Sequence, residues 1–508
     1  MSRQDSLFET RERKSKDQEP VECLGMTFEN DEERRQSFLT KLREGLEELH
    51  AKLGGVHFTT VEDAVQQMKS VEKWPMGDYV RLRKLAEHMR HADSNKDLLQ
   101  LWKDEVGFPH GEIEDILNLS DPPYYTACPN PFIGDFIAHY GRPYDPNVPY
   151  SKEPFAVDVS VGKTDPIYKA HSYHTKVPHL AIVPSILHYT EPGDVVLDGF
   201  CGSGMTGVAA QWCGSAPENY RRDLEALWEK EGREKPKWGP RRVVLGDLAP
   251  AATFIAANYN LPFDVSEFAQ AARKILDEVE QEIGWMYETL HTDGKTKGRI
   301  EYTVWSEVFT CPDCAGEVVF LKQALDPETK KVKDAFPCPH CGAELSKKRL
   351  ERLYETKMDK AMNITIRTPK RQPVLIVYKL GKTRYEKQPD QADLETLSKI
   401  ESLPWPSELP TVALPYMHMT HERARMDNVG ITHIHHFFLP RAAHALAALW
   451  RRANAWPEAR VRQMLLFFLE QGFWTTSVCN SYRPTGFSQV SQYMKGIYYV
   501  PSQQSELS

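Results

Sequence analysis

The run Asp194-Val195-Val196-Leu197-Asp198-Gly199-Phe200-Cys201-Gly202-Ser203-Gly204-Met205-Thr206-Gly207 constrains this chain more than any other. Its aliphatic stretch, acid and glycine cluster, followed by Val208-Ala209-Ala210, read as a short buried strand, a tight turn and the start of a helix. Gly202 and Gly204 let the backbone turn closely beside a ligand, and open α/β sheets bind ligands at that carboxyl edge. The residues also spell Gly-x-Gly-x-x-Gly, the dinucleotide fingerprint, which expects an acidic ribose partner about 20 residues on. Here the next strand-end acid, Asp247 after Val243-Val244-Leu245-Gly246, lies much further along, beyond a charged insertion from Glu218 to Pro240.

An acid placed directly before the turn repels a pyrophosphate and suits a cation. S-adenosylmethionine carries a sulfonium and an ammonium and no phosphate. On this reading Asp198 holds the amino-acid end and Asp247 accepts both ribose hydroxyls. A βα turn without a ligand is the competing reading.

A second motif, Ile116-Leu117-Asn118-Leu119-Ser120-Asp121-Pro122-Pro123-Tyr124-Tyr125, reads as a strand-like run ending in Asp-Pro-Pro-Tyr. Two prolines remove two backbone donors and leave carbonyls free to accept. The exocyclic amino group of a base is a poor nucleophile because its lone pair is delocalised into the ring. The Asp121 carboxylate and the Pro122 carbonyl, each accepting one hydrogen, would pull that nitrogen toward tetrahedral geometry. Tyr124 offers a face on which a flipped base stacks, a contact worth roughly 1–3 kcal/mol. A plain turn is the alternative.

Cys311-Pro312-Asp313-Cys314 and Cys338-Pro339-His340-Cys341 are two knuckles whose four thiolates suit tetrahedral Zn2+ with no position left for catalysis. The reading is a structural ribbon whose folding is coupled to the metal. Beside it Lys347, Lys348, Arg349, Arg352, Arg367, Lys370 and Arg371 could lie along DNA phosphates or form a solvated face.

Taken together, the tetrad Asp121-Pro122-Pro123-Tyr124 and the segment Asp198 to Thr206 resemble the amino-methylating DNA methyltransferases, which make N6-methyladenine or N4-methylcytosine. Their patterns are Asp/Ser-Pro-Pro-Tyr and Asp-Pro-Phe-x-Gly-Ser-Gly-Thr-Thr. His174-Thr175-Lys176-Val177-Pro178-His179-Leu180, with Ile186-Leu187 and Pro192-Gly193-Asp194, is similar to the family's segment before the turn, where a Lys-Pro pair opens a helix beside the cofactor. Asp at position 121 resembles the adenine-N6 branch more than the cytosine-N4 branch. The ribbon insertion resembles large adenine-specific DNA methylases found near phage-defence genes. The resemblance spans roughly Leu117 to Asn260. It implies an α/β fold, a Rossmann-like S-adenosylmethionine-dependent methyltransferase sheet with a helical N-terminal region and an inserted zinc ribbon. It also implies double-stranded DNA as substrate, service in restriction-modification or phage defence, direct in-line transfer, and cofactor contacts from Lys176, Asp198, Phe200, Gly202, Gly204, Thr206 and Asp247.

The order, tetrad before turn, is similar to the family's circularly permuted branch. Yet only about forty residues separate Tyr125 from Asp165, too few for the three further strands and target-recognition domain of that branch. Those strands are expected from after Asn260 or from another chain. In the large zinc-ribbon relatives the tetrad can lie downstream of the turn, and Asp121 is then a substrate-loop or architectural copy. Two readings stand: Asp121 is the catalytic acid, or a partner polypeptide supplies the tetrad to a zinc-bearing, DNA- and cofactor-binding subunit. An RNA or protein-amide acceptor with the same cofactor is a further alternative.

Composition sets the frame. The chain has 508 residues with 41% hydrophobic and 26% charged, and a net charge of −8, so DNA contact needs a local basic face rather than bulk charge. No apolar run approaches about 18 residues, and the charged start lacks a signal-peptide core. A cytoplasmic chain without membrane contact is expected, and two Cys-x-x-Cys pairs fit a reducing compartment. The expected organisation is a polar arm and helical region (1–110), the core motifs (111–265), a helix with the ribbon and basic segment (266–390), and a part completing the core or recognising the target (391–508).

Within these, a helix from Asp31 carries Phe38, Leu42, Leu46, Leu49 and Leu53 on one face, and helical patterns continue from Thr60 to Trp102. Ser266 is expected to cap a helix to about Ile283, with Phe268, Ala272, Ile275 and Val279 on one face. Two helices follow a Pro-rich linker (Leu403 to Pro415): Arg441 to Arg452, and Pro457 to Gln471 with Pro457 in its first turn. His433, His435 and His436, with His418 and His421, read as packing or polar contacts, because no carboxylate falls at a ligand spacing. His171 and His174 lie near the presumed cofactor edge, Cys201 reads as packing, and the loop from Ser481 to Gly486 is rich in donors.

Overall fold

The structure is a computed structural model that describes residues 20–54, 112–143, 145–326, 328–329, 331–414, 420–421, 426–485, 489–490 and 500–508. The polar arm before residue 20, the helical patterns from Thr60 to Trp102, Pro415, His418 and Gly486 lie outside the described residues. The chain divides into two compact units, residues 1–168 with 176–260, and residues 169–175 with 261–508. No helix among the described residues is long and apolar enough to cross a membrane.

In the first unit, helix α1 (Asp31–Gly54) opens with Asp31, Glu32 and Glu33 in its first turn, where negative charge favours the helix dipole. Its apolar stripe buries Phe38, Leu42 and Leu46 against Ile116, Leu117 and Phe132, while Leu49 stays exposed. The run expected as a strand before the tetrad is instead a helix, α2 (Ile113–Leu119). So short an apolar run reads either way, and packing of Ile116 and Leu117 on α1 decides it. Helix α3 (His179–Tyr189), strand β1 (Val195–Asp198), helix α4 (Met205–Ser215), helix α5 (Glu218–Lys230) within the insertion, strand β2 (Arg242–Leu245) and helix α6 (Pro250–Asn260) then follow. β1 and β2 pair in parallel from Val195 opposite Arg242 to Asp198 opposite Leu245. One face is covered, because Val196 and Val243 pack on a core of Val183, Ile186, Ala209, Cys213, Leu224 and Trp228.

The other face corrects the expectation of a buried strand: Leu197 is 74% exposed. A parallel strand is buried only when helices cover both faces and neighbours flank it, and β1 and β2 form a sheet of two strands. The strands after Asn260 pair with one another instead.

The second unit is organised by a long strand, β3 (Lys297–Thr310). Hairpin β4 (Tyr354–Asp359) and β5 (Ile364–Pro369) precedes β6 (Arg371–Leu380) and β7 (Thr383–Lys387). β6 pairs with β3 on one side, and β8 (Gln503–Leu507) pairs with it on the other. Helix α7 (Val265–Ile283) is capped by Asp264, whose carboxylate accepts from the amides of Ser266 and Glu267. Ser266 therefore lies inside the first turn instead of capping it. Helix α8 (Pro440–Asn454) has Pro440 in its first turn. Helix α9 (Ala459–Thr476) is capped by Glu458, which leaves Pro457 just outside. Arg441, buried on α8, pairs with Glu506 of β8 at 2.5 Å.

Candidate active site

The glycine turn is ordered by its own carboxylates. Thr206 Oγ1 and the Phe200 amide donate to the two oxygens of Asp198 at 2.6 and 3.1 Å. The Gly202 amide donates to Asp247 Oδ2 at 3.0 Å, which ties the end of β2 to the turn after β1. Backbone bonds reinforce the link: the Gly246 amide reaches the Asp198 carbonyl at 2.8 Å, and the Cys201 amide the Gly246 carbonyl at 2.9 Å. Gly202 and Gly204 have φ of 50° and 76°, left-handed values that favour glycine. A Cβ on Gly204 would lie 2.6 Å from Ala256 Cβ, and one on Gly207 would lie 2.3 Å from Asn260 Oδ1. These two glycines thus serve close packing of α6 on α4, while Gly202 serves the turn. Phe200, in the turn after Asp198, and Leu248, next to Asp247, are exposed apolar groups at 84% and 92%.

Lys176 belongs to the same neighbourhood. Its ammonium donates to the Tyr168 carbonyl (2.9 Å) and the Tyr259 hydroxyl (2.8 Å) and lies 4.4 Å from the Tyr259 ring centroid. Burial brings its pKa down to about 8. Tyr259 and Asn260 adjoin in α6, and Asn260 Nδ2 donates to the Gly204 carbonyl, so one helix end serves both the lysine and the turn. Nothing in the periodicity singled out these two residues. Cys201 is buried and its thiol is pushed up to about 12, first by burial and then by Asp247 and Asp198, in keeping with a packing role. His171 falls in the second unit, stacked on Phe467 at 5.0 Å between centroids, and His174 is exposed.

The tetrad is arranged very differently. Arg34 of α1, 2% exposed, donates from Nη1 to the Pro122 carbonyl at 2.6 Å and from Nη2 to Asp121 Oδ1 at 3.2 Å. Its guanidinium carbon also sits 4.7 Å from the Tyr124 ring centroid. Burial alone would lower the Arg34 pKa; a hydrogen bond to Asp31 and the charges of Asp121 and Asp31 outweigh it and keep the group charged. Arg35 adds a contact of 3.9 Å to Asp121, and Asn130 Nδ2 donates to the Pro123 carbonyl. The groups expected to accept a base's amino hydrogens are thus both engaged by one arginine. Sequence reasoning missed Arg34, which sits in a charge-rich helix start with nothing to distinguish it. The loop still adjoins α6, where the Tyr125 hydroxyl is a neighbour of Thr253.

In the second unit the two cysteine knuckles converge. Cys311 and Cys341 sulfurs lie 3.9 Å apart and those of Cys314 and Cys338 3.7 Å apart. A tetrahedral ion with Zn–S bonds of about 2.3 Å spaces its sulfurs about 3.8 Å apart, so the four residues fit such an ion. Each knuckle turns through a positive φ, at Ala315 (59°) and Gly342 (75°). Cys311 and Cys338 share a small core with Phe309, Phe320, Phe336 and Leu345. Several neighbouring bases are committed within the chain: Arg349 to Asp313, Arg352 to Glu307 and Lys370 to Glu317.

Comparison with curated proteins and with solved structures gave no match. Residues 28–215, which contain both the tetrad and the glycine turn, match the family model described as DNA methylase. That segment is thus similar to the DNA methylase family over its length, which includes both motifs.

Proposed function

We propose that this chain binds S-adenosylmethionine at the glycine turn and serves methyl transfer to the exocyclic amino group of a base in double-stranded DNA, adenine N6 ahead of cytosine N4, in host modification or phage defence. The observation that carries the reading is the pair of carboxylates, Asp198 and Asp247, at neighbouring ends of two parallel strands around a left-handed turn. Residues 198 to 207 contain no Lys or Arg, so the turn suits a cationic ligand over a phosphate. When bound, the cofactor supplies an electrophilic methyl group. Asp198 would hold the ammonium, Asp247 would accept the ribose hydroxyls, and Phe200 would offer the adenine ring an apolar wall. Gly202, Gly204 and Thr206 hold the turn open, and Lys176 steadies the adjoining wall. Catalysis of this kind rests on positioning and on acceptors that draw the amino hydrogens away from the ring plane.

Asp121, the Pro122 carbonyl, the stiff Pro123 and the Tyr124 face form such an acceptor site once Arg34 withdraws. Arg34 makes the three contacts that a stacked amino group would make there, which favours a second reading: Asp121 fastens the loop to α1, and a partner polypeptide supplies the working tetrad. Cys311, Cys314, Cys338 and Cys341 hold structural Zn2+, and the ribbon with its basic neighbours Lys347, Lys348 and Arg367 approaches DNA phosphates. Four thiolate ligands suit a reducing cytoplasm.

Calorimetry with S-adenosylmethionine, followed by tritium transfer from labelled cofactor into duplex DNA, RNA and protein, tests the proposal. Cofactor uptake with label in the base amino group is expected; absence of uptake overturns it. Asp121→Asn separates the two readings. Loss of transfer with uptake preserved makes Asp121 the acceptor, whereas transfer that persists with a partner present assigns the tetrad elsewhere.

A further inference from the structure

The histidine run Thr432-His433-Ile434-His435-His436 lacks a carboxylate at any ligand spacing in sequence, yet the fold of the second unit supplies one. Asp359 ends strand β4, and its Oδ2 lies 2.9 Å from His435 Nε2 and 2.9 Å from His436 Nε2. Both histidines belong to a single 3-10 turn, Ile434–Phe437. Adjacent residues on such a turn ordinarily point apart, but these two rings converge on one oxygen with centroids 4.2 Å apart. The other carboxylate oxygen, Oδ1, is held by the amides of Ala361 and Met362 at 2.9 and 3.3 Å, which fixes Oδ2 toward the rings. The three side chains are 4%, 3% and 8% exposed.

A buried carboxylate needs compensating positive charge. Among the described residues the ion-pair partners of Asp359 are these two imidazoles alone, and they carry charge only when protonated. A divalent cation bound by both Nε2 atoms and Oδ2 would satisfy all three groups at once. The three ligand atoms lie within 4.8 Å of one another, close enough for one ion to span. Thr432 flanks the outer nitrogen of His436: its amide donates to Nδ1 at 3.2 Å and its Oγ1 lies 3.3 Å away, so binding a metal at Nε2 requires the other tautomer, with Nδ1–H turned to Oγ1. His433, its ring centroid 5.3 Å from that of His436, offers a further nitrogen close by.

We propose that Asp359, His435 and His436 form a second metal site, separate from the four cysteines, that takes a divalent first-row transition ion, Zn2+ foremost. Two imidazoles and one carboxylate match the borderline donors that such ions prefer over Mg2+ or Ca2+, and three protein ligands leave a coordination position open. The ion would fasten hairpin β4–β5 to the segment that leads into α8.

Untagged full-length chain, incubated with excess Zn2+ and desalted, is expected to retain about two Zn2+ per chain. His436→Gln is expected to retain one, and Cys311→Ser should still hold an ion with nitrogen and oxygen ligands. Zinc X-ray absorption on the unsubstituted chain gives an answer even if a variant fails to fold. Mixed sulfur and nitrogen/oxygen coordination supports the site. One Zn2+ or less per chain, or all-sulfur coordination, overturns it and leaves Asp359 a hydrogen-bond acceptor for two histidines.

Discussion

The glycine turn and the proline loop sit in one unit and adjoin the same helix, yet one is open and the other closed. At the turn, Asp198 and Asp247 are engaged by backbone amides and a threonine hydroxyl, neutral donors that order each carboxylate without cancelling its charge. At the loop, Asp121 is met by a buried guanidinium that also occupies the neighbouring carbonyl and lies over the tyrosine ring. A neutral donor leaves an acid able to attract a cationic ligand, whereas an arginine neutralises it. The difference teaches that a motif of the right letters can be poised for a ligand or already satisfied by its own chain, and that the charge of the partner decides which.

That contrast can be broken at either end. The largest effect is expected from Gly204→Val, because a β-branched residue at a φ of 76° with its Cβ 2.6 Å from Ala256 combines backbone strain with overpacking. Together these cost about 4 kcal/mol. Denaturant unfolding should show that loss, and calorimetry should show no cofactor uptake. Arg34→Met tests the closed side. It leaves Asp121, 15% exposed, without its main partner and should cost about 3 kcal/mol while changing cofactor affinity less than about twofold; a neutral outcome on stability would show that the loop is not held by the arginine.

The smallest effect sharpens the open side through pH. Lys176 titrates at about 8 in the folded chain, because burial disfavours its charge, against 10.5 in the unfolded one. Between those values the unfolded chain holds a proton that the folded chain has released, so stability rises with pH across the window and is flat in this respect below it. Lys176→Met should remove that slope in urea titrations run between pH 7.5 and 10.5.

Much of the architecture was legible along the chain. The helix from Asp31, the strand and helix around the turn and the two late helices all follow from apolar spacing and glycine punctuation, which are local signals. The errors share a cause as well. The run before the tetrad, too short to show its period, became a helix through its contact with α1, and two helix starts moved by a residue or two because Asp264 and Glu458 cap the first-turn amides there.

The sequence by itself determined which residue types were available: four thiolates in two knuckles, two acids at strand ends, and glycines where no side chain fits. Only the tertiary structure decided what each of them meets. Arg34 finds Asp121 and Pro122 across more than eighty residues, Asp359 finds two histidines across more than seventy, and Leu197 is left uncovered on a sheet of two strands. Periodicity reports only neighbours within a few turns, whereas charge neutralisation, ligand convergence and strand burial depend on groups brought together by the fold.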